Sequence, residues 1–275
     1  MSDLVHLQTH SVYSMRQSLL SLEALLAAVK ERGQRAVALT DVDGLYGMVP
    51  FVKQAREAGI QPLLGSELSL AVPELPDDRP ARVTLLVRDD AGFRNLSRLI
   101  SRTHLDGPLP PEALVGHADG LVALTGDEHG ALPRLLSLGQ TARAQRILEG
   151  WREAFGLENC VVQLGSWWPA QPLVQMARSL GLGVVAAHAA SYLTPDDQEA
   201  WQALQMAHGL GHAPTGKRHL ATDAELHAAW RELPEALTAM RAIAERLTYA
   251  PQFGQPRLPA FTPESGEDSD RFLTR

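Results

Sequence analysis

Short runs of Val, Leu and Ile alternate along the chain with longer stretches whose apolar residues recur at helical spacing. That rhythm predicts consecutive β/α units around a parallel sheet. Strands are expected at residues 3–8, 36–40, 60–64, 82–87, 121–124, 160–164 and 183–187, seven in all. Helices are expected from Ser21, where Leu22, Leu25, Leu26 and Val29 share a face and Gly33 ends the run, and then over 49–58, 91–102, 142–155 and 173–180. A short helix and a further helical stretch flank the strand at 121–124. Helices dominate the last third, at 195–206, 222–230 and 233–247, with Thr222 and Glu225 spaced as a capping box. The expected fold is therefore α/β: a distorted TIM-like (β/α) barrel with extra helices at its C-terminal end. From Pro251 the chain turns rich in Pro, Gly, Ser and acidic residues, so residues 1–250 read as the barrel domain and 251–275 as a linker.

A length of 275 residues with 45% hydrophobic content supports one large core. No apolar run is long enough to span a bilayer, and the N-terminus has no signal-peptide pattern, so the expected location is cytoplasmic, with no membrane partner. The single cysteine, Cys160, excludes an internal disulfide and reads as a buried strand residue. A formal net charge of −7 predicts only weak DNA contact through this segment, and the basic stretch from Gly216 to His219 reads as a solvated loop. The adjacent Trp167 and Trp168 suit partial burial near a strand end, or a contact patch.

In such barrels the working side chains follow the strands. His10 and Ser11 follow the first apolar run, Asp41 and Asp43 the second, Glu67 the third, Asp127 and His129 the LVALTG segment, and His188 the GVVAA run, while His104 follows a helix. Imidazoles and carboxylates meeting at one mouth suit Zn, Mn or Fe and a metal-activated water. Each residue alone has an ordinary reading as well: an Asp after a strand is often the next helix's N-cap, and Thr40 and Asp41 fit that role. His6, Gln8 and His10 would share a strand face, but a Gln between two imidazoles is a weak half-site.

The segments VHLQTHSVYS, ALTDVDGLYG, GIQPLLGSEL, NLSRLISRTHLDG, GLVALTGDEHG and SYLTPDDQEA resemble, in order and spacing, the successive motifs of the PHP (polymerase and histidinol phosphatase) domain. That domain begins bacterial C-family DNA polymerases, both the DNA polymerase III alpha subunit and its error-prone relative, and ALTDVDGLYG is closer to the error-prone type. The resemblance implies a seven-stranded barrel whose intact members hold up to three metals and hydrolyse phosphodiesters. The family's first His-x-His falls on Gln8 and His10, and the Asp after its YS pair falls on Gln17. Asp41 is retained while its partner His becomes Val42, and the final Asp-x-His falls on Ala189 and Ser191, with His188 just ahead. Glu67 and His104 match, and Asp127 stands where a Cys or His is usual. Those three could hold one divalent metal (Zn, Mn or Fe), bound weakly or not at all. The resemblance thus implies a degenerate site and a mainly structural role in replication or error-prone repair synthesis. Its partners would be the polymerase core of the same parent chain and a proofreading exonuclease or other replication subunits, with 251–275 leading toward a palm. Two alternatives remain open: a residual 3′–5′ exonuclease-type phosphoesterase using Glu67, His104, Asp127, His10 and His188, and a free-standing accessory protein.

Overall fold

The computed structural model describes residues 4–76, 79–165, 171–207, 216–254 and 268–273. Trp167 and Trp168 lie outside the described residues, as does most of the expected linker.

Among the described residues six strands form one sheet in sequence order: β1 (Ala36–Leu39), β2 (Gln61–Leu70), β3 (Ala81–Val87), β4 (Leu121–Leu124), β5 (Cys160–Leu164) and β6 (Val184–Ala186). The sheet curls into a half-barrel. Strands β1, β4 and β5 are buried along their whole length, which is why β1 and β4 read as unbroken apolar runs and β5 is broken only by the bonded Gln163. Cys160 opens β5 fully buried, and burial pushes its thiol up to about 12.

Two expectations change. The sheet is mixed, because β3 runs antiparallel to both β2 and β4 while the remaining pairs are parallel. The segment between Leu70 and Ala81 carries Pro73, Pro76 and Pro80 and is too short for a crossover helix, so β3 returns beside β2 as an antiparallel neighbour. The expected first strand, 3–8, is not a regular strand. His6 bridges Val37 of β1 and Thr9 bridges Ala190 beyond β6, so this segment touches both edges of the sheet through isolated bridges. Backbone bonds from Ala38 N to His6 O, Thr40 N to Thr9 O and His10 N to Ala190 O fix it there.

Helices α1 (Leu22–Glu31), α2 (Met48–Ala58), α3 (Asp90–Asp106), α4 (Ala131–Ser137), α5 (Thr141–Phe155) and α6 (Gln171–Ser179) follow the expected apolar periodicity. Ser21 caps α1 by accepting from Ala24 N, and Gly59, in the left-handed region at φ 75°, ends α2. At the C-terminal end come α7 (Gln198–Ala207), α8 (Asp223–Ala229), α9 (Pro234–Arg246) and α10 (Ser269–Leu273). The Thr222–Glu225 capping box opens α8 as the sequence predicts. Among the described residues no helix is long and apolar enough to cross a membrane.

Candidate functional site

Glu67 sits within β2 rather than at its end, opposite Thr84 of β3, and is buried. Its Oε1 accepts a 2.7 Å hydrogen bond from Gln8 Nε2, and its Oε2 lies 3.2 Å from His10 Nε2. Gln8 Oε1 accepts in turn from Gln163 Nε2 of β5, which also donates to Ala187 O at 3.0 Å. The Gln8 amide thus ties β2 and β5 to the N-terminal segment. Burial alone would raise the Glu67 pKa, but His10 and the charges of Arg82 and Arg218 hold it below the ordinary carboxylate range.

Arg218 is the residue that sequence reasoning missed. Lys217 beside it is exposed, yet Arg218 and His219 are buried, so the expected solvated loop is in fact part of the interior. Arg218 Nη2 lies 3.2 Å from Asp127 Oδ2 and 3.0 Å from Glu128 Oε1. Its backbone is fixed as firmly: its N–H donates to Tyr192 Oη at 2.9 Å, and its carbonyl accepts from Ser191 N at 2.7 Å. Burial opposes its charge, but Asp127, Glu128 and Glu67 together raise its pKa above that of an ordinary guanidinium. A short basic run carries no sign of this, because burial of Arg218 depends on the return of the chain past Tyr192. The only local hint is the apolar Leu220 that follows, with the capping box two residues on.

The other expected residues are spread around this centre. Asp41 is committed to the preceding loop: its carboxylate accepts from Ser11 N (2.7 Å), Ser11 Oγ (2.9 Å) and Ser14 Oγ (2.7 Å). It is not an N-cap, since Gly47 holds that position for α2. His104 lies in the last turn of α3 rather than after a helix, on the surface, with Nε2 2.7 Å from Asp43 O and 3.4 Å from Tyr46 Oη. His188 is buried with Nε2 3.1 Å from His219 O; burial, then the Arg218 charge, lower it to about 4. Asp43, in the left-handed region at φ 47°, accepts from Ser69 N at 2.8 Å and sits 3.5 Å from Arg82.

These donors have the right chemistry for a divalent cation. Their arrangement does not fit one. Glu67 is engaged by Gln8 and His10, and Asp127 by Arg218 and by His129 N at 3.0 Å. Among the described residues no three His, Cys, Asp or Glu side chains form an ion-holding group.

The PHP domain family profile matches residues 6–166. The chain belongs to the PHP domain family. The match includes Gln8, His10, Asp41, Glu67, His104 and Asp127 of this PHP domain and leaves His188 and Arg218 beyond its end. Relatives include the DNA polymerase III subunit alpha of Vibrio cholerae, 30% identical over 98% of this chain and 25% of the relative. The error-prone DNA polymerase of Mycobacterium bovis is 31% identical over 97% of this chain and 27% of the relative. The PHP domain spans about a quarter of the length of the curated relatives it matches. Among solved structures, an amidohydrolase from Chromobacterium violaceum aligns over 82% of this chain and 96% of that one, with a TM-score of 0.45 and 15% identity.

Proposed function

We propose that this PHP domain is the N-terminal structural module of a DNA polymerase III alpha-type or error-prone chain, its metal chemistry replaced by an internal arginine. In this reading residues 4–10 serve as a seventh, irregular stave that completes a distorted barrel, residues 1–250 form the domain, and 251–275 lead toward a polymerase palm. The domain works in the cytoplasm, packs against the polymerase core of its own chain, and offers a surface to a proofreading exonuclease. One observation carries the proposal: the buried Arg218 guanidinium lies against Asp127 and Glu128 and within electrostatic reach of Glu67. It supplies the positive charge that ions would supply between carboxylates, but it cannot bind or activate a water as an open metal site does.

The test combines metal loading with activity. After treatment with a chelator, excess Mn or Zn is expected to leave the melting temperature unchanged, elemental analysis is expected to find far less than one metal per chain, and a 3′-labelled DNA strand is expected to lose no nucleotide. Stoichiometric metal, or nucleotide release abolished by Glu67→Ala, would overturn the proposal in favour of a surviving phosphoesterase.

A further inference from the structure

Helix α3 carries three arginines, Arg94, Arg98 and Arg102, at successive intervals of four residues, so they form one stripe along its outer face. Next to this stripe is an open hollow of about 410 Å³ lined by Ser97, Arg98, Ser101, Arg102 and His117, the last from the 3-10 turn Pro111–His117. Among the described residues no carboxylate lines it. The two guanidiniums in it are weakly engaged: Arg98 Nη1 is 3.4 Å from Asn95 Oδ1, and Arg102 Nε is 4.0 Å from Asp106 Oδ2. Both serine hydroxyls donate back to helix carbonyls, Ser97 to Phe93 O and Ser101 to Ser97 O, so the donors left for a ligand are the guanidiniums. His117 is held by Nδ1 at 3.2 Å from Ala113 O and forms a fixed wall. Acids flank the stripe: Asp90 before Arg94, Asp106 after Arg102, and Asp119, whose carbonyl accepts from Asn95 Nδ2 at 2.9 Å, while Glu112 of the same 3-10 turn is paired with Arg143.

We propose that this hollow and the arginine stripe bind successive phosphates of a nucleic acid strand. Guanidinium forks match phosphate oxygens in pairs, and eight helical residues place the outer arginines about 12 Å apart, which suits a run of phosphates rather than a single anion. The overall charge of −7 gives no general attraction for DNA, so the contact is local and confined to this face. The choice of DNA as the polyanion rests on the polymerase reading above; the phosphate chemistry does not.

The experiment is fluorescence anisotropy of a labelled single-stranded DNA oligonucleotide titrated with the chain over a range of salt. The double variant Arg98→Ala, Arg102→Ala is expected to bind about tenfold more weakly at low salt, with the slope of log affinity against log salt reduced by about 1.4, the release of two counterions from a single strand. Arg178→Ala, an exposed charge on α6, is the control and is expected to change affinity less than about twofold. The charge-preserving pair Arg98→Lys, Arg102→Lys is expected to keep the salt slope, so a folding defect in the alanine pair cannot imitate the result. Wild-type chain that does not bind at low salt, a double variant with unchanged affinity and slope, an equal loss in the Arg178 control, or displacement of the strand by inorganic phosphate at low concentration would each overturn the proposal. None of these outcomes depends on metal loading or nucleotide release, so the site can fail while the reading of the domain stands, and the converse also holds.

Discussion

At the scale of single residues, the buried charges around Glu67 and Arg218 are each set against a counterpart. Arg218 is the strongest case, with two carboxylates in contact and its carbonyl and N–H both bonded. Removing one member of a buried ion pair leaves the others uncompensated, so Arg218→Met is expected to cost about 3–5 kcal/mol in urea unfolding. Arg218→Lys is expected to recover only part of it, since a point charge cannot face two carboxylates as a planar fork does. Gln8 is a lesser case of the same kind: Gln8→Leu takes partners from both Glu67 and Gln163 and is expected to lower stability by about 1–3 kcal/mol on the same measurement. Reading polar residues off the ends of apolar runs places, of His10, Asp41 and Glu67, only Asp41 just past a strand, since Glu67 lies inside β2 and His10 follows an irregular segment. It was silent on Arg218 and Gln163, whose partners come from remote parts of the chain.

At the scale of elements, apolar periodicity located nearly every helix and strand, but the parallel sheet it predicted fails at β3. The pattern of Ala81–Val87 reads the same either way, and only the short proline-rich connection from β2 makes β3 antiparallel. The extra length of β2, from Gln61 to Leu70, was hidden because Gly65, Ser66 and Ser69 interrupt the apolar run; Gly65 is needed there, since a Cβ would meet Leu85 O at 2.5 Å. Helix α3 also packs through glycine: a Cβ on Gly92 would collide with the carbonyl of Gly120 in the turn before β4, where Gly120 adopts φ 73°. Gly92→Ala is therefore expected to push α3 off the sheet and cost about 1–3 kcal/mol, seen as a lower denaturant midpoint with little change in far-ultraviolet circular dichroism at zero denaturant. The same displacement would move the arginine stripe.

At the scale of the whole molecule, stability is expected to depend on acid through His6. This imidazole is buried, its Nε2 has no hydrogen-bond partner, and burial followed by the Arg32 charge lowers it to about 3. The unfolded chain takes up the proton near pH 6.5 while the folded chain refuses it until about pH 3, so stability is full above 6.5 and falls as pH drops between those values. The slope attributable to His6 is about 1.4 kcal/mol per pH unit at most. Comparing urea midpoints at pH 7 and pH 5 is expected to show a drop in the wild type that is visibly smaller in His6→Gln; equal drops in the two would discard this account.

The segment that touches both edges of the sheet has a consequence for synthesis. Ser18 Oγ reaches Ser191 O, and His10 N reaches Ala190 O, so these two groups wait for some 170 residues to be made before those partners exist. Until then the segment can bond to β1, but its side that faces Ala190 is an open hydrogen-bonding rim to which a neighbouring nascent chain can add. Folding of this domain on the ribosome should therefore finish with a late, all-or-none clasp. Slowing translation between β1 and β6 should prolong the interval in which aggregation competes with it.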